Sequence, residues 1–398
     1  MESEEPAAAG WYRWIILILT WLVYFAFGLI LTSIPPLVTP IAADLSLTFS
    51  QMGFILGSVI LMYIPLAIPI GVSIDRIGQK RMITAGLLFI SLSAVFRAFA
   101  FNFETLFLTV FLFGFGGPTI STGLAKVVAS FFEGRERGLA SGIYMTGAII
   151  GSSTALAVTN PLVLPMVGTW RNVFAFYGTI GIVIAAIWIL VAREPRKSDD
   201  HNESVLSLRE MAGTLLGHRQ VWIVAIIGSS SFLVFYGFTN WLPTLLEMRG
   251  LSPTDAGLLS SLPGWVGLVG SAVIPSLAKA GSRKPIVIIT LFIQGISMVL
   301  AGLTYGPSLL ASLVVYGVTS GASMPLLLVV LIDLPDVGAE NTGVASGVFF
   351  SIGAFCGFIG PIIVGYLTDI TGSFIPAVTA LALIVEAMIV LTVFLKET

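Results

Sequence analysis

Charged residues are scarce in this sequence. Only 10% of its 398 residues are Asp, Glu, Lys or Arg, whereas 56% are hydrophobic. A water-soluble domain carries roughly 25% charged residues, so this chain has too few polar side chains to cover a water-exposed surface. The formal net charge of -2 also leaves no basic surface for nucleic acid. We therefore expect a protein that is surrounded mainly by lipid and does not bind nucleic acid.

Cysteine and histidine are also scarce. Cys356 is the single cysteine, which excludes an intrachain disulfide. Both histidines, His201 and His218, fall in one polar segment, so a zinc or haem site among the apolar segments is not expected. A membrane enzyme would need a cluster of nucleophilic, basic or metal-binding side chains, and the apolar segments show none. We predict no metal, no cofactor and no enzymatic activity.

Long apolar runs, by contrast, fill the chain. A membrane-spanning helix needs about 20 mostly apolar residues, and this rule gives twelve candidate spans. They are residues 13–38, 50–73, 82–101, 104–130, 138–161, 170–192, 219–243, 255–278, 285–304, 308–332, 341–366 and 373–395. The longest polar interval predicts an N-terminal bundle at 1–193, a linker at 194–218 and a C-terminal bundle at 219–398. The predicted fold class is all-α integral membrane, with twelve transmembrane helices in two six-helix bundles.

The positions of the basic residues predict the orientation in the membrane. Most of the 19 lysines and arginines lie in loops that fall on one side of the twelve spans. Basic loops stay in the cytoplasm, so both termini are expected there. We predict a multi-pass protein of the cytoplasmic membrane that acts as a monomer.

The two halves of the sequence resemble each other. Leu47–Gly53 aligns with Leu251–Gly257, and each segment opens a span with the residue pattern of a capping box. Gly138–Gly142 aligns with Gly343–Gly347 at nearly the same offset. Such parallel repeats build one large class of transporters, whose substrate site lies between the halves near the middle of the membrane. The repeats predict pseudo-symmetric bundles and the transport of a small solute.

The loop after the second span carries a specific motif. It reads Gly71-Val-Ser-Ile-Asp-Arg-Ile-Gly-Gln-Lys-Arg81, and it resembles the signature G-x-x-x-D-R-x-G-x-K-R of the major facilitator superfamily. Within that superfamily the chain looks most like the cyanate and nitroimidazole transporter group, on segments such as Phe235–Pro243 and Asp369–Ser373. The run Tyr63–Pro69 also resembles the choline and haem-exporter-like branch, so the substrate does not follow from the fold.

The resemblance implies a latch at the cytoplasmic ends of the helices. In the family this loop holds the two halves together in the outward-open state, which assigns the latch to Asp75 and Arg76, with Arg135 and Arg137 as nearby cations. A physical reason is available, because a carboxylate beside a helix N-terminus is stabilised by its partial positive charge. The eleventh span supplies such an N-terminus. The alternative is that these charges only fix the topology.

Two cations and several aromatic residues lie inside the predicted spans. Lys126 lies within the fourth span, where a cation is costly and therefore a functional candidate; it would attract an anionic substrate or extend to the lipid headgroups. Arg97, near the opposite end of the third span, is expected to extend to the headgroups. The polar and aromatic residues expected to line a central cavity are Tyr24, Tyr144, Tyr236, Asn240, Trp241 and Trp265, although each would also suit packing or anchoring at the membrane surface.

Carboxylates are missing from the spans that line the cavity in the resembled family. Proton symport needs a titrating group in the pathway, and Glu386 lies in the twelfth span, which is peripheral in that fold. The sequence therefore favours a secondary active or facilitative transporter that moves a small organic or inorganic anion by alternating access. The alternatives are a proton-driven exporter of drugs or toxic solutes and a carrier of a small organic cation such as choline.

Overall fold

The computed structural model describes residues 7–194, 218–279, 281–334 and 337–395. The helix ends that the sequence assigns to the cytoplasm are called inner ends below, and the opposite ends are called outer ends. Every regular element in these residues is helical, which confirms the predicted all-α fold class.

Sixteen α-helices are found in the described residues. The first nine are α1 (Ala7–Leu31), α2 (Val38–Leu45), α3 (Phe49–Leu61), α4 (Tyr63–Ile77), α5 (Gln79–Arg97), α6 (Phe103–Phe131), α7 (Gly134–Val158), α8 (Leu164–Val167) and α9 (Trp170–Val191). The others are α10 (Arg219–Val234), α11 (Leu242–Met248), α12 (Pro253–Leu277), α13 (Arg283–Leu303), α14 (Gly306–Ile332), α15 (Gly338–Thr371) and α16 (Phe374–Val393).

The helices match the predicted spans closely. Eleven helices of the described chain are long and apolar enough to cross a membrane. The helix at the predicted third span, α5, is the exception, because it begins with Gln79, Lys80 and Arg81 and ends at Arg97. It still packs between α6 and α9, so it occupies the place of a span.

Prolines divide the first two predicted spans. The first helix ends at Leu31, and Pro35 and Pro36 lead into a short 3-10 turn before α2 begins. The second span is divided at Met62, just before Pro65, into α3 and α4. Proline has no backbone N–H and its ring clashes with the carbonyl four residues earlier. Both interruptions therefore follow from the sequence, although the hydropathy pattern did not reveal them.

The helices form two compact units. Unit 1 comprises Met1–Leu37 and Met62–Ser198, and unit 2 comprises Val38–Leu61 and Asp199–Thr398. In unit 1 the main helix pairs are α1 with α7, α5 with α6, and α5 with α9. In unit 2 the corresponding pairs are α10 with α15, α13 with α14, and α13 with α16. These three span pairs therefore recur in both units, as the predicted pseudo-symmetry requires. Unit 2 also packs α12 extensively against α14 and α3 against α15.

Small residues allow the closest of these pairs to form. A side chain at Gly151 of α7 would collide with the carbonyl oxygen of Phe25 on α1. In unit 2, a side chain at Gly360 of α15 would collide with the carbonyl oxygen of Leu233 on α10. Close backbone approach through small residues is typical of helix packing in membranes. These contacts hold the helices that carry the candidate site residues.

Candidate functional site

The inner end of unit 1 contains an ion pair between α4 and α6. The Lys126 Nζ lies 2.5 Å from Oδ1 of Asp75 and also donates a hydrogen bond of 3.1 Å to the carbonyl oxygen of Gly71. Both charged side chains are partly exposed. The residue predicted to attract substrate and the residue predicted to form the latch are therefore direct partners. Lys126 is neutralised within the protein and does not stand alone at the lipid headgroups.

The remaining latch candidates make no such pair. Arg76, Arg135 and Arg137 are exposed, and no ion pair is formed by any of them within the described part of the chain. The nearby Glu136 instead binds Arg13, with its Oε2 at 2.7 Å from Nη1, and this contact joins the start of α7 to α1. The structure thus brings Asp75 to Lys126 rather than to Arg135 or Arg137.

Glu194 organises the rest of the signature loop. Its carboxylate accepts hydrogen bonds from the backbone N–H of Gln79 and, at 3.1 Å, of Lys80, so it caps the N-terminus of α5. A carboxylate in this position is favoured by the helix dipole. Gly78 has a φ of 107°, and a side chain there would collide with Glu194. These two constraints explain why the motif needs glycine at this position.

Two of the predicted cavity residues meet in unit 1. The rings of Tyr24 on α1 and Tyr144 on α7 lie 5.6 Å apart, between centroids. Tyr24 also stacks on Phe27 at 5.4 Å, and Phe27 contacts Phe113 of α6 at 5.3 Å. The Tyr144 side chain is largely buried, and its hydroxyl has no hydrogen-bond partner among the described residues. The structure therefore supports a shared aromatic wall made by α1, α6 and α7.

Arg97 lies behind this wall and does not reach the membrane surface. Its side chain is 0% exposed, and its guanidinium donates hydrogen bonds to the carbonyl oxygen of Ile30 and to the hydroxyls of Ser33 and Ser93. It also lies 6.0 Å from the ring centroid of Phe113. The prediction that Arg97 extends to the headgroups is wrong, because its side chain is fully buried and three acceptors inside unit 1 bind its guanidinium.

A π-helix at Phe235–Thr239 interrupts the seventh span in unit 2. Such segments occur frequently at functional sites, and they change the register of the helix. Tyr236 and Asn240 are four residues apart, but the α-helical spacing that would place them on one face does not hold through this segment. Tyr236 packs against Gly357 of α15, whereas the amide of Asn240 is partly exposed and has no hydrogen-bond partner in the described chain. Of the two, Asn240 is better placed to contact a solute.

The two predicted tryptophans have different surroundings. Trp241 is 1% exposed, and its indole N–H donates a 3.0 Å hydrogen bond to the carbonyl oxygen of Pro361. Its ring contacts Phe49 and Phe374, which favours a packing role. Trp265 of α12 is exposed, and no ring contact joins it to the other candidate residues in the described chain.

Several buried polar residues near the π-helix were not identified from the sequence. The Tyr316 hydroxyl of α14 lies 3.1 Å from Oγ1 of Thr239, and its ring contacts Phe238 at 4.7 Å. Deeper in the unit, Ser323 donates a 3.0 Å hydrogen bond to Gln294 of α13. Serine, threonine and glutamine are common in apolar helices, so the sequence offers no signal that separates these pairs from others. They fix α13 and α14 around the segment that carries Asn240.

Asp369 is a further residue whose contact the sequence did not predict. It lies near the C-terminus of α15, and its carboxylate accepts hydrogen bonds from the backbone N–H of Phe49 and Ser50 at the start of α3. A carboxylate is disfavoured at the C-terminus of its own helix. That unfavourable position was a signal in the sequence that Asp369 has a partner elsewhere.

Similarities to known proteins agree with this architecture. The profile described as Major Facilitator Superfamily matches residues 16–361. The chain is 28% identical over 373 residues to the probable galactarate/D-glucarate transporter GudP of Bacillus subtilis (strain 168), covering 83% of this chain and 80% of the relative. It is 24% identical to the nitrite extrusion protein of the same strain, covering 91% and 89% of the two chains.

One solved structure has a similar fold. It is the crystal structure of a bacterial homologue of the human lysosomal transporter Spinster, in an inward-facing and occupied conformation. The TM-score is 0.74 at 20% sequence identity, with 97% of this chain and 95% of the other covered. At this identity the likeness concerns the fold.

Proposed function

The chain belongs to the Major Facilitator Superfamily and is a transmembrane transporter, and we propose that its substrate is a small organic or inorganic anion carried across the cytoplasmic membrane. The Lys126–Asp75 ion pair carries this proposal. A partly exposed lysine whose only acidic partner in the described residues is also partly exposed can exchange that carboxylate for the carboxylate or other anionic group of a substrate. Attraction would come from Lys126, and shape from Tyr24 and Tyr144 of the same unit. Asn240 of unit 2 is proposed separately as a contact to the solute.

The relatives support an anionic substrate. GudP is named for sugar diacids and the nitrite extrusion protein for an inorganic anion, two solutes that share little except negative charge. The narrower assignment to the cyanate and nitroimidazole group remains a proposal, as do the division into bundles at 193 and 219, the cytoplasmic termini and the monomeric state. The expectation that the chain is not an enzyme fits the transporter names of its relatives.

Uptake into proteoliposomes tests the proposal directly. Purified protein would be reconstituted and supplied with radiolabelled glucarate, nitrite, cyanate, small monocarboxylates or choline, with liposomes lacking protein as the blank. We expect counterflow with at least one anion and none with choline. Choline uptake without anion uptake would instead favour the cation carrier. Anion uptake that requires an imposed proton gradient would show proton coupling.

Two substitutions show whether Lys126 takes part. Lys126→Gln should raise the KM for the transported anion by up to about fivefold, the range of partly exposed ion pairs. Lys279→Gln removes an exposed lysine on the inner side of unit 2 and should leave KM unchanged. Equal KM values for the two variants would remove Lys126 from substrate binding and leave it as the partner of Asp75 only.

A further inference from the structure

A segment of the N-terminal half belongs to unit 2 in this structure. Residues Val38–Leu61, which comprise α2 and α3 and are called the outer segment here, cluster with the C-terminal half. The backbone of α3 lies close to α15, since side chains at Gly53 or Gly365 would collide with the opposing helix. The ring of Phe49 lies 5.8 Å from Trp241 and 5.5 Å from Phe374, between centroids.

The N-terminus of α3 is capped by a residue of α15. Asp369 accepts a 3.0 Å hydrogen bond from the backbone N–H of Phe49 and a 2.7 Å hydrogen bond from that of Ser50, and it also accepts from the Ser50 hydroxyl. Thr48 and Gln51 satisfy each other's backbone N–H in the predicted capping box. All four amides at this helix start are therefore bonded, two within α3 and two through Asp369.

The Asp369 carboxylate is stabilised by these hydrogen bonds only while α3 stays in contact with α15. Asp369 lies two residues before Thr371, the last residue of α15, where the partial negative charge of that helix repels it. The N-terminus of α3 offers it partial positive charge and unpaired N–H groups. When α3 moves away, Asp369 loses both partners and returns to its unfavourable position. The contact is therefore specific to the arrangement in which the outer segment is held by unit 2.

We propose that Asp369 is a latch on the outer side, which holds the outer segment against α15 and is released when the transporter opens outward. The proposal rests on alternating access as the mode of transport. It has a counterpart at the inner end, because Asp75 lies two residues before Ile77, the last residue of α4. Each carboxylate therefore lies at the disfavoured end of its own helix. In this structure Asp369 is docked on α3 while Asp75 is held by Lys126.

Distance measurements between two spin labels test the latch. Labels at Ala43 of α2 and Ile370 of α15, both exposed, would be attached to cysteines in a Cys356→Ala background that transports. Asp369→Ala should raise the ratio of long to short distances by about 3- to 30-fold, the effect expected for loss of an N-cap. Asp369→Asn keeps one acceptor and removes the charge, so it should change the ratio in the same direction and less.

Asp255 provides a matched control. It lies in the first turn of α12, and its carboxylate accepts a 2.7 Å hydrogen bond from the Ser252 hydroxyl of the same turn. Asp255→Ala removes an acidic residue from a helix start on the same side of the membrane without touching the outer segment. We expect its distance ratio to stay within about twofold of the parent.

Two results would overturn the latch. One is an unchanged ratio in both Asp369 variants, and the other is an equal shift in Asp255→Ala. If the parent still transports its solute in either case, the latch fails and the proposed function stands. If the parent transports none of the tested solutes, the proposed function fails whatever the distances show.

Discussion

Lys126 and Asp75 form a 2.5 Å ion pair that joins α6 to α4 at the inner end of unit 1. The lysine also donates to the carbonyl oxygen of Gly71, one turn before Asp75 on the same helix. Because both side chains are partly exposed, the pair contributes only about 0.2–1 kcal/mol to stability. A pair of this strength can separate during a transport cycle. The pair matters for function because each partner can bind another group once the two have separated.

The first prediction concerns competition for Lys126. If an anionic substrate replaces Asp75 at the lysine, Asp75→Asn should lower the KM for that anion by about two- to fivefold, since the internal competitor is gone. If Asp75 also has the latch role that the signature motif implies, turnover should fall at the same time. Initial uptake rates over a range of anion concentrations in proteoliposomes separate these two effects.

The double variant decides between the two roles of Lys126. Asp75→Asn combined with Lys126→Gln should have the high KM of Lys126→Gln alone if the lysine binds the substrate. An intermediate KM, in which the decrease caused by Asp75→Asn and the increase caused by Lys126→Gln simply combine, would mean that the two residues act independently. That result would contradict the competition for Lys126. Lys279→Gln, which removes an exposed lysine of unit 2 outside the candidate site, again serves as the control and should leave KM unchanged.

The second prediction concerns the buried guanidinium of Arg97. Arg97→Ala leaves an internal cavity and deprives Ser33, Ser93 and the Ile30 carbonyl of their donor, so it should lower the free energy of unfolding by about 3–5 kcal/mol. Arg97→Met fills most of the space without a charge and should cost less. Thermal unfolding in detergent, followed by a thiol-reactive dye at Cys356, measures both.

The matched control for Arg97 is Arg76, which is exposed. Arg76→Ala should change the stability by less than about 0.5 kcal/mol. An equally small change for Arg97→Ala would support the interpretation that this side chain extends into the headgroups. It would also contradict the buried hydrogen bonds of Arg97 to Ile30, Ser33 and Ser93.

The positions of the helices could be predicted from hydropathy. Lipid requires every spanning segment to satisfy its own backbone hydrogen bonds and to expose apolar side chains. The capping box of Thr48 and Gln51 was also predicted correctly, since it is local in sequence. The prediction for Arg97 was wrong because the contacts of this side chain are not local in sequence. Its acceptor Ser33 is 64 residues away in the chain, and hydropathy holds no information on such a contact.

The site itself was only partly accessible to sequence reasoning. Tyr24 and Tyr144 were each predicted to line a central cavity; their rings are in contact, and the cavity lining stays a prediction. For Asp75 the sequence suggested the N-terminus of the eleventh span, with Arg135 and Arg137 as nearby cations, whereas in the structure Lys126 forms an ion pair with it. The π-helix at Phe235–Thr239 has no distinctive composition, and the change it makes in register could not be foreseen.

The third prediction uses that π-helix. The Asn240 amide just after it is partly exposed and has no hydrogen bond to the described chain, so Asn240→Ala should raise the KM about three- to tenfold by removing a hydrogen bond to the solute. Stability should not change. Tyr316→Phe, which removes the buried hydrogen bond to Thr239, should do the reverse and lower the melting temperature with little effect on KM. A fall in melting temperature for Asn240→Ala with an unchanged KM would assign Asn240 to packing.

The fourth prediction concerns the pH dependence of the outer segment. Glu247 of α11 accepts a hydrogen bond from the Thr39 hydroxyl of α2, and both residues belong to unit 2. Partial burial raises the pKa of Glu247 above its ordinary value, and the hydrogen bond from Thr39 offsets part of this rise. A carboxyl group with a raised pKa favours its protonated form in that environment.

The sign of the effect follows from that rise. With the outer segment in place the pKa is raised, and with the segment released Glu247 is hydrated and returns towards about 4.3. Protonation therefore stabilises the docked arrangement fully below the ordinary pKa, and this contribution is lost as the pH rises through the raised pKa. Acidification of the outer side should accordingly increase the share of short distances between labels at Ala43 and Ile370.

Glu247→Gln isolates this carboxyl from the other acidic side chains of the outer side. Asp44 of α2 and Asp369 of α15 lie in or against the outer segment, and both remain in the variant. Glutamine resembles the protonated acid, so the variant should keep the distance distribution of low pH when the pH is raised, while the parent loses it. If parent and variant respond to pH in the same way, Glu247 is not the group that causes the response. The burial of Glu247 then has no influence on the position of the outer segment.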